Sequence, residues 1–216
     1  MDLGTGDSWP RLDTEKKTLG ATERNETQRD AFRTQIISRS AADFVIVDET
    51  GSNVNLTPRY ARAPRGQRAH GRIPRNTPSN STLIAAMTID GMGAAMVLDG
   101  ATDTLAFEAY VEHFLAPTLR VEQVVVIDNL AAHKGERVRK LIEDRGCELL
   151  YLPPYSPDLN LIEEAFSKVK GLLRVIGART KEVLVEARGK ALDAVGPRDA
   201  RGFFTRCGYY GLKQQL

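Results

Sequence analysis

The chain has 216 residues, of which 42% are hydrophobic and 27% charged, and its formal net charge is +2. This composition suits one domain with its own core and excludes a disordered chain, which would be poorer in apolar residues. The longest apolar stretch, 83–98, is interrupted by Asp90 and is too short to span a membrane. Two isolated cysteines exclude a disulfide framework. We therefore expect a reduced, cytoplasmic protein with no membrane contact.

The spacing of apolar residues predicts one helix, three strands and then an alternation of helices and strands. This order is typical of an α/β sheet covered by helices. Residues 51–56 alternate weakly and could pair back on the first strand as a hairpin. The predicted elements are helix 23–38, strands 44–47, 81–89 and 94–98, helix 104–115, strand 124–127, helix 134–145, strand 148–152, and helices 161–175, 181–195 and 197–207.

An arginine-rich segment separates the first two predicted strands. It carries no acid between positions 59 and 75, and its prolines predict a loop. Such a patch can neutralise phosphates and release counterions, the usual source of sequence-independent affinity for DNA. A solvated loop without a ligand is the alternative for a charge run taken by itself. The arginines are Arg59, Arg62, Arg65, Arg68, Arg72 and Arg75.

Acidic residues stand where the predicted elements would bring them together. Asp48 and Asp128 each end a predicted strand, and Glu163 or Glu164 opens the helix after a proline-rich turn. Ligands of open α/β sheets lie at the carboxyl ends of the strands, so neighbouring strands would make these carboxylates converge. Converging carboxylates stay ionised with a cation between them, and Mg²⁺ prefers carboxylate oxygens. Spacing alone equally allows two turn aspartates and a glutamate that stabilises a helix N-terminus.

Several short motifs are more specific than this spacing. They are VDET at 47–50, TPRY at 57–60, Arg65-Gly66, VVIDN at 125–129, His133-Lys134, LPPYSPDLN at 152–160 and IEE at 162–164. Asp128 and Glu163 enclose 34 residues. With these motifs, the region 40–175 resembles the catalytic domain of mariner-like DDE transposases, in particular their bacterial insertion-sequence branch.

The resemblance implies a fold, a site and a reaction. The fold would be ribonuclease-H-like, a mixed sheet flanked by helices. Asp48, Asp128 and Glu163 would form the metal-binding catalytic triad, holding two Mg²⁺ or Mn²⁺ ions, with Glu49 and Glu164 as the alternative acids. The reaction would be hydrolysis at a transposon end, followed by attack of the freed 3′-hydroxyl on target DNA.

The resemblance also implies partners. Double-stranded DNA, as transposon ends and target, would be bound in the bacterial nucleoid by a homodimer that assembles on it. We expect Asp158 and Asn160 to shape the turn and cap the helix of Glu163. His133 either contacts a phosphate or bonds to the proline-rich turn. The residues predicted to contact DNA are Arg59, Arg62, Arg65, Arg68, Lys134 and Lys168.

The chain departs from this family at its N-terminus. Only residues 1–43 precede the first predicted strand, whereas relatives carry a helix-turn-helix region that reads the element's ends. We expect that region to come from a second reading frame, separate or fused by frameshifting, or the copy to be truncated. The predicted divisions are a lead-in at 1–40 with one helix, a catalytic domain at 41–178 and a helical extension at 179–216. A stand-alone nuclease of the same fold and an inactive, transposon-derived DNA-binding protein are the alternative functions.

Overall fold

The computed structural model describes residues 21–58, 60–74, 80–130 and 133–209. These residues form a five-stranded sheet with helices on both faces, in the strand order β3-β2-β1-β4-β5. The strands are β1 Phe44–Ser52, β2 Ser81–Thr88, β3 Gly91–Asp99, β4 Val124–Ile127 and β5 Glu148–Tyr151. The helices are α1 Glu26–Ile37, α2 Thr104–Tyr110, α3 Glu136–Glu143, α4 Ile162–Ile176, α5 Lys181–Asp193 and α6 Pro197–Arg206. No described helix is long and apolar enough to cross a membrane.

The sheet is mixed, as predicted. Strands β1, β4 and β5 run parallel, while β1, β2 and β3 form an antiparallel meander. All four residues of β4 are buried, because a central parallel strand is covered by helices on both faces. The predicted mixed sheet flanked by helices is therefore confirmed.

Strand β1 extends further than its apolar run. Its parallel pairing with β4 stops at Val47 and Ile127, but its antiparallel pairing with β2 continues to Ser52 and Ser81. Asp48 therefore lies inside β1 and not after it. The hairpin predicted at 51–56 was wrong, because this part of β1 takes its antiparallel partner from β2, beyond the arginine-rich segment.

The two faces of the sheet bury two apolar layers. Residues Val45 and Val47 of β1 face a layer closed by α2 and α3. Phe44 and Ile46 face the opposite layer, which contains α4, α5 and α6. That second layer also buries Phe32 of α1 and Tyr209 near the C-terminus, so it extends across the predicted boundaries at 40 and 178.

The C-terminal helices dock against the turn between β2 and β3. Gly91, the first residue of β3 after that turn, has φ +123°, and a Cβ there would lie 2.7 Å from the carbonyl oxygen of Val195. Glycine avoids both the strained backbone and the collision. This close approach fixes the junction between α5 and α6 on the sheet.

Candidate active site

Asp48 and Asp128 lie side by side at one edge of the parallel part of the sheet. Each follows the last residue that its strand contributes to the parallel β1–β4 pairing, since Val47 of β1 is the partner of Ile127 of β4. Asp48 is 8% exposed, and the side chain of Asp128 is 25% exposed. The strand order thus brings together two of the three predicted acids.

Asn160 holds the side chain of Asp48. Its Nδ2 donates to Oδ2 of Asp48 at 2.8 Å, while Oδ1 of Asp48 accepts the backbone N–H of Glu49 at 2.7 Å. Asn160 follows the short 3-10 turn Pro157–Leu159, and its side chain does not cap α4, whose N-cap is Leu161. The predicted capping role of Asn160 was therefore wrong, because its amide is turned toward β1. Its Oδ1 is buried without a hydrogen-bond partner among the described residues.

His133 bridges two carboxylates. Its Nδ1 contacts Oδ1 of Asp128, its Nε2 lies 3.0 Å from Oε1 of Glu49, and its ring stacks on Phe107 with centroids 3.9 Å apart. Although burial lowers it, the hydrogen bonds to Asp128 and Glu49 raise the pKa of His133 to about 9. Both roles predicted for this side chain were wrong, since both ring nitrogens face carboxylates. Only its backbone carbonyl is close to the hydroxyl of Tyr151, at 3.4 Å.

Glu163 approaches the aspartates from α4. It lies exposed in the first turn of that helix. Burial raises the pKa of Asp48 to about 6, and the charges of Asp128 and Glu163 contribute to the rise. The neighbouring Glu164 instead forms an ion pair with Arg206 of α6, whose Nε lies 3.1 Å from its Oε1. Of the two glutamates, Glu163 is the one whose charge acts on Asp48.

The donor set suits a hard divalent cation. Asp48, Asp128 and Glu163 offer carboxylate oxygens, the ligands that Mg²⁺ and Mn²⁺ prefer. Burial is the main cause of the raised pKa of Asp48, and the charges of Asp128 and Glu163 add to it. The orphaned Oδ1 of Asn160 is a further oxygen beside Asp48. Within the described ranges, no three or more His, Cys, Asp or Glu side chains lie close enough together to hold a metal ion as they stand. The two aspartates are held on adjacent strands, while Glu163 lies on the separate helix α4.

Two clefts open beside these acids. One, of about 390 Å³, is lined by Asp128, Asn160 and the turn that carries Pro153, Pro154 and Tyr155. The other, also of about 390 Å³, has Glu163 on its wall together with Phe166, Ser167, Lys170 and Arg174. A polyanion entering from solvent would meet cationic side chains in the second cleft and a carboxylate in the first.

The predicted DNA contacts fall into three groups. Arg62, Arg65, Arg68 and Lys134 are exposed, and Arg59 lies outside the described residues. Lys168 already has two partners within the protein: its Nζ donates to Asp199 at 2.6 Å and to the carbonyl of Ala194 at 2.7 Å. These bonds hold α4 against the α5–α6 junction. A phosphate at Lys168 would have to displace both partners, so Lys170 and Arg174 are the better placed cations of α4.

Two arginines of the C-terminal segment hold the base of the arginine-rich segment. Arg188 of α5 is buried and donates to the hydroxyl and carbonyl oxygens of both Ser52 and Ser81, the residues where the segment leaves and rejoins the sheet. Arg179 donates to the carbonyls of Val54 and Leu56. No local pattern could have identified these contacts, because each joins residues more than a hundred positions apart.

Helix α1 holds the turn that carries Asn160. Arg29 is fully buried, and its guanidinium forms two hydrogen bonds with Asp158, at 3.0 and 2.6 Å. This pairing lowers the pKa of Asp158. On the other side of the turn, the hydroxyl of Tyr209 donates to the carbonyl of Leu159 at 3.1 Å. Asp158 thus shapes the turn as predicted, but through an arginine of α1.

Comparison with known proteins gives a family and a fold. Residues 43–184 match the family model described as DDE superfamily endonuclease. A solved Mos1 transposase paired-end complex with the left transposon end is 16% identical, with a TM-score of 0.70 over 91% of this chain and 64% of that chain. The Mos1 mariner paired-end complex with Mg is 15% identical, with a TM-score of 0.68 over 93% and 64%. The catalytic domain of Mos1 mariner transposase is 14% identical, with a TM-score of 0.57 over 85% and 81%.

At these identities the structures establish the fold, which is the predicted ribonuclease-H-like one. This chain spans 64% of the length of the Mos1 chain in the paired-end complexes. No curated protein sequence matches it.

Proposed function

We propose that this chain, which belongs to the DDE superfamily endonucleases, is the catalytic part of a DNA transposase. The observation that carries the proposal is the placement of Asp48 and Asp128 directly after the paired residues Val47 and Ile127 of adjacent parallel strands. Glu163 acts electrostatically on Asp48 from α4. The reaction we infer is cleavage at transposon ends and joining of the freed 3′-hydroxyl to target DNA.

The acids have distinct tasks in this proposal. Asp48, Asp128 and Glu163 would together hold two divalent cations, either Mg²⁺ or Mn²⁺. When bound, such ions activate an attacking oxygen and stabilise a leaving oxygen at phosphorus. Asp48 and Asp128 lie on the rigid sheet, and Asn160 fixes the direction of Asp48 by its hydrogen bond. Glu163 stands on a separate helix, so it is the ligand whose approach depends on how α4 packs.

The proposed path of DNA follows the exposed cations. Arg62, Arg65 and Arg68 lie on the segment that leaves the sheet after Ser52, and Lys134 comes directly after His133. Lys170 and Arg174 line the cleft of Glu163. Such contacts position a duplex through its phosphates without reading its sequence. We include Arg59 in this surface by its position in the sequence, and leave Lys168 out because it is bound to Asp199.

We further propose that the active assembly is a dimer on DNA. The solved Mos1 structures include a paired-end complex with the left transposon end and a strand transfer complex. Recognition of the ends would need a helix-turn-helix module, supplied by another reading frame or fused by frameshifting.

Incubation of the purified chain with supercoiled plasmid tests the nuclease chemistry. We expect nicking that requires Mg²⁺ or Mn²⁺, stops with EDTA and is lost in Asp128→Asn. The control is Asp193→Asn, which removes an exposed carboxylate at the end of α5 and should nick like the wild type. Nicking that persists in Asp128→Asn would contradict the site assignment.

A joining assay separates a transposase from a stand-alone nuclease. Labelled duplex with a free 3′-hydroxyl is supplied with plasmid, and covalent transfer of the label to plasmid is measured. A transposase joins the two, and a 3′-deoxy end abolishes the product. Nicking without transfer would support the nuclease alternative.

A further inference from the structure

We propose that His133 is a positioning residue that fixes the carboxylate of Asp128 for metal binding and is itself held by Glu49. The inference rests on the proposed function and deepens it, by adding two residues that act through a metal ligand. Its basis is the chain of contacts from Glu49 through the imidazole to Asp128.

The three groups come from three separate parts of the fold. Glu49 lies on β1, Asp128 follows β4, and His133 lies shortly before α3. The imidazole is 2% exposed and is stacked on Phe107 of α2, which restricts its rotation. With both ring nitrogens against carboxylates, the ring has no free nitrogen to offer a substrate. His133 is therefore a positioning residue and not a catalytic one.

The contacts select one oxygen of Asp128. Oδ1 is contacted by Nδ1 of His133 and accepts the backbone N–H of Leu130 at 3.2 Å. Among the described residues no donor engages Oδ2, and Asp128 lines the cleft shared with Asn160. An aspartate at a strand end can rotate about two side-chain torsions, and these contacts restrict it to one orientation. The free oxygen is thereby kept for a cation.

Glu49 reaches both aspartates. Its backbone N–H donates to Oδ1 of Asp48, and its side chain meets the imidazole that holds Asp128. Partners that orient metal ligands typically change metal affinity by roughly 10–100-fold when they are removed. A displacement of Glu49 would therefore disturb both acids of the pair.

Isothermal titration calorimetry of the full chain with Mn²⁺ measures the metal affinity and so tests this role without relying on activity. We expect Glu49→Ala to weaken Mn²⁺ affinity roughly 10-fold or more. Glu49→Gln should restore most of that affinity, because the amide can accept from or donate to Nε2 and so keeps the ring in place. Affinity in His133→Asn should fall at least as far as in Glu49→Ala. Leu115→Ala, which opens a cavity in the apolar layer under α2 and α3, is the control, expected to lower the melting temperature in EDTA while keeping Mn²⁺ affinity.

The outcomes separate this inference from the proposed function. Unchanged affinity in Glu49→Ala overturns the inference. Equal losses of Mn²⁺ affinity in Glu49→Gln and Glu49→Ala overturn it too. They would mean that the negative charge of Glu49 is required, as it is for a residue that binds the metal directly. If the wild type binds no Mn²⁺, or if Asp128→Asn binds it equally well, the proposed metal site falls and the inference falls with it. Since Glu49 lies at the edge of the site, its variants test the role even if His133→Asn fails to fold.

Discussion

The side-chain amide of Asn160 donates a hydrogen bond of 2.8 Å to Oδ2 of Asp48, which lies 112 positions earlier in the chain. The bond joins the central strand to the turn that precedes α4. That turn is also held by Arg29 of α1 and by Tyr209 near the C-terminus. Segments on both sides of the family-matched region thus support the turn that orients an acid of the candidate site.

Removing the charge of Asp48 should stabilise the metal-free protein. Its folded pKa of about 6 lies above the ordinary 3.8, so the folded state binds the proton more tightly than the unfolded state does. The associated stability is present below about pH 4 and is lost as pH rises through about 6. A shift of this size corresponds to at most about 3 kcal/mol at neutral pH.

Asp48→Asn removes the charge and so avoids this loss of stability at neutral pH. The amide of Asn160 can turn to offer its unpartnered Oδ1 to the new side chain. We expect urea unfolding in EDTA at neutral pH to show a higher free energy of unfolding for the variant, with the gap closing toward about pH 4. A variant that is less stable than the wild type across this whole range would contradict the raised pKa.

Asn160→Ala should destabilise the chain and impair nicking together. The substitution leaves the buried Oδ2 of Asp48 without its donor, which costs about 1–3 kcal/mol. It also frees the carboxylate to rotate, so metal-dependent nicking should fall. Asn129→Ala, at the half-buried residue after Asp128, is the comparison in the same cleft. Equal losses in the two variants would mean that the bond to Asp48 has no special role.

The pair of Arg29 and Asp158 should contribute more stability than a surface pair. Among the described residues, Asp158→Ala leaves the buried guanidinium with only the longer contact to Glu26, at 3.4 Å. We expect a loss of about 2 kcal/mol in the free energy of unfolding, as for hydrogen bonds to charged groups. Asp30→Ala breaks the exposed pair with Arg33 and should cost less than about 1 kcal/mol. A double-mutant cycle with Arg29→Met isolates the coupling, and a coupling near zero would refute the role of α1 in holding this turn.

The arginine-rich segment should account for part of the salt dependence of DNA binding. Replacing Arg62, Arg65 and Arg68 by Gln removes three charges, which should reduce the slope of log affinity against log salt by up to about 3. Lys168→Gln is the matched control, because the ammonium it removes is bound to Asp199. It should lower stability slightly and leave the salt slope unchanged. An unchanged slope in the triple variant would place DNA elsewhere.

The sequence allowed the elements to be predicted, because local apolar spacing and turn residues determine them. The strands around Asp48 and Asp128 were predicted from β-branched runs. Their adjacency was only the condition on which the carboxylates would converge, and it is met by the pairing of β1 with β4. The contact of Glu49 with His133 could not be predicted, since it depends on how α2, β1 and β4 pack around one imidazole. The same holds for Asn160, whose position before a helix indicates a cap until β1 is placed beside it.

The incorrect predictions for the end of β1 and for Lys168 have a similar cause. The end of β1 was placed too early because its last residues pair with β2, whose approach across the arginine-rich segment has no local signal. Lys168 has the spacing of an exposed cation on α4, but α6 places Asp199 against it. Long-range packing therefore decides which polar residues remain free for a ligand.

Glutamates 163 and 164 offer the most direct test of the central claim that Asp48, Asp128 and Glu163 form a metal-dependent nuclease site. The two neighbours differ in their surroundings: Glu163 acts on Asp48, and Glu164 is paired with Arg206. Plasmid nicking with Mn²⁺ should be abolished in Glu163→Gln and retained in Glu164→Gln. Retained nicking in Glu163→Gln, or its loss in Glu164→Gln alone, would contradict the assignment.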